Sequence, residues 1–124
     1  MKAAIVGSRG LHICNMEMYL PAGITEIVSG GATGVDTDAA EYAKEKQIPI
    51  TVFLPDYRRY GKAAPLKRNL QIIDYADIVI IFWDGCSRGT AFVIEQCRKT
   101  HAPVMIWVSK QEGGYVQEFS FVPK

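Results

Sequence analysis

Short apolar runs alternate along this chain with stretches whose apolar residues recur at helical spacing. The runs are Ala3 to Val6, Glu26 to Val28, Ile50 to Leu54, Ile78 to Trp83 and Val104 to Val108. They are rich in Ile and Val and bounded by Gly, Pro or Asp, a pattern that suits strands buried on both faces of a parallel sheet. Between them Val35, Ala39 and Ala43 share a helical stripe, as do Leu66, Leu70 and Ile73 and, less cleanly, Ala91, Ile94 and Cys97. Asp36 and Asp38 fit a first helical turn, and Pro65 fits an N1 position. Leu11 to Leu20 reads as a further helix ended by Pro21 and Gly23. The tail from Tyr115 to Val122 alternates in part and reads as an extra C-terminal edge strand after the Gly113-Gly114 turn. The alternation predicts an α/β fold: a three-layer open parallel sheet of about five strands, helices on both faces, right-handed crossovers.

The length of 124 residues suits one domain, 1–124, with a single core. No repeat, linker or low-complexity segment divides it. Hydrophobic residues make up 48% and charged residues 22%, so the chain reads as globular. A formal charge of +1 gives no global electrostatic case for nucleic acid or an anionic membrane. The apolar runs are too short to span a bilayer, and the start shows no leader pattern. Three irregularly spaced cysteines argue against a disulfide framework, so the expected setting is the reduced cytoplasm.

Candidate chemistry gathers at three strand ends. In an open parallel sheet, ligands bind beyond the carboxyl ends of the strands where strand order reverses. The first run ends in Val6-Gly7-Ser8-Arg9-Gly10, the second in Ser29-Gly30-Gly31-Ala32-Thr33-Gly34, and the fourth in Asp84-Gly85-Cys86-Ser87-Arg88-Gly89-Thr90. The second and fourth loops run directly into helices, whose free N–H groups and positive dipole end favour an anion. Ser8, Ser29, Thr33, Ser87 and Thr90 add hydroxyls; Arg9 and Arg88 add charge. One such loop is explained by turn sterics alone, but three on one rim point to a phosphate-bearing ligand. The spacing is neither G-x-G-x-x-G nor a P-loop, and no acid closes the second strand, which disfavours ordinary NAD binding. Asp36 either holds a ribose hydroxyl or stabilises its helix start.

Asn69 falls on the Leu66–Ile73 stripe, so its amide is expected to be buried and partnered. It either orients a glycine loop from beneath or touches the ligand, while Arg68 is expected on a different face. The loop Pro55 to Lys62 interleaves Arg58, Arg59 and Lys62 with Tyr57 and Tyr60. It reads either as a lid over a phosphate and a base or as a solvated surface loop. Cys86, ahead of a helix start, and His12, after the first strand, outline a Cys–His pair whose alternative is an inert loop thiol. Two histidines and three scattered cysteines give no zinc-type spacing. No cofactor is expected, apart from a Mg²⁺ that a phosphorylated ligand could bring.

Taken together, VGSRG, SGGATGVD, the Arg68-Asn69 pair and FWDGCSRGT resemble the SLOG superfamily, which includes the DprA/Smf DNA-processing proteins and the LOG phosphoribohydrolases. The small YspA/YpsA-related members are the most similar, and the likeness runs from Ala3 to Val108. The resemblance implies a Rossmann-like sheet, frequent homodimerisation, and a nucleotide site built from Gly7, Ser8, Arg9, Ser29, Gly30, Gly31, Gly34, Asp36, Arg68, Asn69, Asp84, Gly85, Ser87, Gly89 and Thr90. The LOG enzymes carry P-G-G-x-G-T-x-x-E, whose acid helps cleave an N-glycosidic bond. Here Gly89-Thr90 is followed by Ala91, Phe92 and Val93, so Val93 stands in the acid's place. Arg68 matches the basic position of the family's helix. Glu95, the next acid, lies about 7 Å further along a helix than Thr90.

The expectation is therefore binding or sensing of a nucleotide or nucleotide-derived ligand. The alternative is a hydrolase acting on a nucleotide N-glycosidic bond, with Asp84 or Asp36 replacing the missing acid. Single-stranded DNA binding through Arg58, Arg59, Lys62, Tyr57 and Tyr60 stands third.

Overall fold

A computed structural model describes residues 1–118 of the chain. Six strands form one sheet: β1 (Lys2–Gly7), β2 (Glu26–Ser29), β3 (Ile50–Val52), β4 (Ile78–Trp83), β5 (Val104–Ser109) and β6 (Tyr115–Glu118). Four α-helices accompany them: α1 (Val35–Glu45), α2 (Tyr57–Tyr60), α3 (Ala64–Tyr75) and α4 (Arg88–Thr100). The strand order is β3-β2-β1-β4-β5-β6, and only the β5–β6 pairing is antiparallel. This is a mostly parallel α/β sheet of the Rossmann-like type with an extra edge strand. Of the predicted C-terminal strand, Tyr115–Glu118 forms, and residues 119–122 lie outside the described residues.

The period of two along each central strand explains the layering. Ala3, Ile5, Ile80 and Phe82 face one side with Ile27, Val35 and Ala39. Ala4, Val6, Val79 and Ile81 face the other with Val28, Ile72, Val93 and Cys97. Both faces of β1 and β4 are thus apolar and both are covered. Ala3 and Ala4, completely buried, place their small side chains near the centre of the sheet. Cys97 belongs to the second layer, where burial pushes its thiol up to about 11. Among the described residues no helix is long and apolar enough to cross a membrane.

Three expectations are corrected. The helix over Leu11 to Leu20 is reduced to a 3-10 turn at Met16–Tyr19. Its backbone has found other partners: the Ile13 amide donates to Asp38 Oδ2 at 2.7 Å, and the Tyr19 carbonyl accepts from Trp107 Nε1 at 3.1 Å. Tyr19 then wedges edge-on among Phe82, Trp107 and Tyr115, with ring centroids 5.0–5.6 Å apart. Second, β3 is only three residues long and lies at the sheet edge, with Ile50 and Val52 exposed rather than buried on both faces. Third, the buried stripe of α3 is Ala64, Arg68, Ile72 and Ile73, while Leu66 is exposed and Asn69 half-buried. Arg68 therefore points inward, not away.

Asp38 ties the segment after β1 onto α1 through a backbone amide. Replacing Asp38 with Ala strands the Ile13 amide and should cost about 1–3 kcal/mol in urea unfolding. Asp38→Asn keeps an acceptor oxygen and should lose distinctly less.

Candidate functional site

β1 is flanked by β2 on one side and by β4 on the other, so the chain reverses its direction of advance beside β1. At the carboxyl ends of these strands a cleft of about 440 Å³ opens. Its walls are the loop after β1 (Gly7, Ser8, Arg9, Gly10), the loop after β2 (Gly30, Ala32), the start of α1 (Asp36), α3 and the start of α4. Gly7, Ser8, Arg9, Gly30, Asp36, Arg68, Asn69, Asp84, Ser87, Gly89 and Thr90 of the predicted set all line it. Ser29, Gly31, Gly34 and Gly85 do not. The Ser29 hydroxyl turns back to accept from the Gly31 amide, a local turn contact.

Gly34 has a purely packing role. It begins α1 at φ 75°, and a Cβ there would collide with the Arg9 carbonyl. The start of α1 is thereby closed against the loop after β1. α1 also offers the cleft the carboxylate of Asp36, which accepts from the Ala32 amide at 3.0 Å. Neither of the two helix starts expected to receive an anion has a side-chain capping bond, and that of α4 is the one whose first turn opens on the cleft at Gly89 and Thr90.

The start of α4 is built differently. Its N-cap, Ser87, makes no capping bond to the first turn. The Ser87 hydroxyl instead meets Ser8 Oγ at 2.7 Å, and Ser8 also lies 3.4 Å from Thr90 Oγ1 and accepts from the Asp84 amide at 3.2 Å. This hydroxyl cluster ties the loop after β1 to the start of α4. Asp84 shapes the turn by accepting from the amides of Cys86 and Ser87 at 2.9 and 2.7 Å. These bonds hold its carboxyl below the usual range, which suits a turn-former and makes Asp84 a poor general base. Nothing lies within 4 Å of where a Gly89 side chain would begin. The first-turn amides of α4 are therefore uncapped, in open space, on the cleft wall.

The floor is charged. Arg68 is buried on α3, where its Nη1 donates to the Gly30 carbonyl at 2.5 Å and its Nε to Asn69 Oδ1 at 2.9 Å. A side chain on residue 30 would lie 2.7 Å from Nη1, which accounts for glycine at that position. Among the described residues no buried side-chain nitrogen or oxygen lacks a partner, so Arg68 Nη2 is open to the cleft. Burial lowers the guanidinium pKa, against the opposing field of Asp36. Burial likewise raises the Asp36 carboxyl, offset in part by the Ala32 amide and Arg68. Asn69, expected to support a glycine loop itself, acts one step removed: it steadies the arginine that does so.

The predicted site set left out Val6, Gly10, Ala32, Pro65, Leu66, Ile72 and Val93, which complete the lining. Ile72 could have been found by rotating the α3 stripe onto Ala64 and Arg68. Val93 lines the cleft at the position where the hydrolase pattern expects an acid, so that part of the wall is apolar. Glu95 is turned outward to Arg98 at 2.8 Å. Hydrogen bonding to Asp84 raises the Cys86 thiol, the reverse of activation, and His12 pairs instead with Asp38 at 3.6 Å. The expected lid loop is helical, and the Tyr60 ring already carries Arg59 and Lys67 at 5.3 and 5.9 Å. No cluster of metal-ligating side chains occurs among the described residues.

The Asp36 shift sets a pH dependence. Because its folded pKa lies above the unfolded value, the unfolded chain ionises first as pH rises, and stability falls across that interval. Asp36→Asn keeps an acceptor for Ala32 and removes the titration. Its stability relative to the parent chain, measured by urea unfolding, should rise as pH increases above the ordinary aspartate pKa of about 4.

Compared with known proteins, the chain matches no family model and no curated sequence.

Proposed function

We propose that this protein binds a nucleotide or nucleotide-derived ligand in the cleft, its phosphate seated on the start of α4. The observation that carries this reading is the uncapped first turn of α4. Its N-cap hydroxyl is engaged with Ser8, and the space in front of Gly89 is empty of protein. Bare amides at a positive helix end are complementary to a phosphate. Arg9 and Arg68 Nη2 add charge to the same cleft. Asp36 is placed to accept from a ligand hydroxyl, as a ribose would offer, and Pro65, Leu66 and Ile72 give an apolar wall for a base. On this reading the chain is a small member of the SLOG superfamily. Its exposed free thiols, Cys14 and Cys86, suit a reducing compartment such as the cytoplasm.

One observation favours hydrolysis as a second reading. Asp36 is a cleft-lining carboxyl whose pKa burial raises, the direction suited to a general acid. Against it, Val93 occupies the wall where the resembled hydrolases carry their acid.

Thermal melting against AMP, ADP-ribose, NAD, cyclic nucleotides and pyrimidine monophosphates tests the binding reading, with unphosphorylated nucleosides as controls. A phosphorylated compound present at ~100 times its dissociation constant should stabilise the fold by about 2.7 kcal/mol, and its nucleoside should not. Gly89→Asp places a carboxylate on the phosphate position without a steric clash. It should abolish that shift and leave the unliganded melting temperature unchanged or slightly raised. A panel that moves nothing, or a shift that survives Gly89→Asp, rules the reading out. Chromatography of the incubated mixture separates binding from cleavage: release of free base that disappears in Asp36→Asn selects the hydrolase.

A further inference from the structure

Two charged side chains face each other across the cleft without meeting. Arg68 on α3 and Asp36 on α1 are each only 8% exposed, and both line it. Their charged atoms stay more than 4.0 Å apart: the ion pairs of the described residues are His12–Asp38, Lys46–Glu17 and Arg98–Glu95. Buried opposite charges in one cleft would ordinarily close on each other, since contact offsets part of the cost of desolvating both. Here a single loop, the segment after β2, holds them apart. Its Gly30 carbonyl accepts from Arg68 Nη1, and its Ala32 amide donates to Asp36 Oδ2 at 3.0 Å. Asn69 Oδ1 fixes the Nε side of the guanidinium.

Both groups keep hydrogen-bonding capacity that the protein does not use. A guanidinium has five N–H donors. Gly30 and Asn69 engage Nη1 and Nε, and among the described residues Nη2 has no protein partner. A carboxylate accepts about four hydrogen bonds. On Asp36 the Ala32 amide fills one of these places, and the nearby Gly30 amide fills at most another. No buried side-chain nitrogen or oxygen of the described residues lacks a partner, so the unused donor and acceptor open on the cleft. The gap is therefore donor on one wall and acceptor on the other. A phosphate placed in it would gain Arg68 but face the charge of Asp36. An uncharged group with an acceptor beside a donor would satisfy both walls and leave their charges balanced. The vicinal hydroxyls of a sugar have this chemistry, and so has the amide edge of a base, where a carbonyl adjoins an N–H.

We propose that the gap between Arg68 and Asp36 is a subsite for an uncharged donor–acceptor group of the ligand, which accepts from Arg68 Nη2 and donates to the Asp36 carboxylate. The inference rests on the cleft reading and divides the work within it. The start of α4 takes the ligand's charge, and the Arg68–Asp36 gap takes its neutral part. An acid at an anion site then has a reason to be there. Asp36 turns the phosphate away from Arg68 and so decides which end of the ligand enters the gap.

Isothermal titration calorimetry of the full chain with inorganic phosphate, ribose 5-phosphate and 2′,3′-dideoxyguanosine 5′-monophosphate tests the subsite. Ribose 5-phosphate has vicinal hydroxyls and no base; the dideoxynucleotide has an amide edge and no vicinal hydroxyls. One of the two should bind about tenfold more tightly than inorganic phosphate, and Asp36→Asn should remove that gain. The variant keeps an acceptor for the Ala32 amide, so it should fold, but it turns an N–H donor toward the cleft where an acceptor stood. Loss of the gain for ribose 5-phosphate assigns the gap to a sugar, and loss of the gain for the dideoxynucleotide assigns it to a base. If Asp36→Asn binds both compounds as tightly as the parent chain or more so, Arg68 takes the phosphate, and the proposal is overturned while the cleft reading stands. Equal affinity of the parent chain for all three compounds overturns it too. A parent chain that binds none of them overturns the cleft reading, and the subsite with it.

Discussion

Arg68 carries its charge into the floor of the cleft, where desolvation works against it and a few groups work for it. The Gly30 carbonyl, the Asn69 amide oxygen and the field of Asp36 are those groups. Because a guanidinium is rigid and planar, satisfying it fixes distances between elements far apart in the chain. It holds the loop after β2 against α3, which otherwise meets the sheet mainly through Ile72 and Ile73. Glycine at position 30 and a carboxyl at position 36 follow from that arrangement. The cleft therefore arrives with its donors already oriented, and a ligand need not organise them.

The layers were legible because the central strands are apolar at every position, a pattern that leaves little choice but burial on both faces. Ile78 to Trp83 announces β4 in full. The segment after β1 was misread for a reason local pattern cannot contain. Leu11, Ile13, Met16 and Tyr19 are spaced nearly as on a helix, yet their backbone is claimed by Asp38 and Trp107, the latter 88 residues away from its partner. The edge position of β3 was likewise invisible: Ile50 to Leu54 is as apolar as a central strand, and only strand order decides which side is left bare.

Site residues were legible to the extent that glycine and hydroxyl side chains mark strand ends. The loops after β1 and β4 were read correctly as neighbours across one rim. The α3 stripe was misphased because arginine counts as polar, so Leu66 was assigned inward in its stead. The satisfaction of Arg68 depends on a carbonyl 38 residues away. At the start of α1 the glycine-rich approach answers a packing demand that local pattern does not show, since a Cβ at Gly34 would meet the Arg9 carbonyl.

The central position of β1 has a consequence for how the chain is made. β1 precedes the other five strands in the chain but lies between β2 and β4; the Lys2 amide donates to Asp77 Oδ2 and the Lys2 carbonyl accepts from the Asp77 amide. Until β4 has been made, the flank of β1 that pairs with it, Ala3 to Gly7, has no strand to bond. That flank is apolar, extended and open to any strand nearby. The sheet therefore gains its central pairing only when β4, far along the chain, is in place.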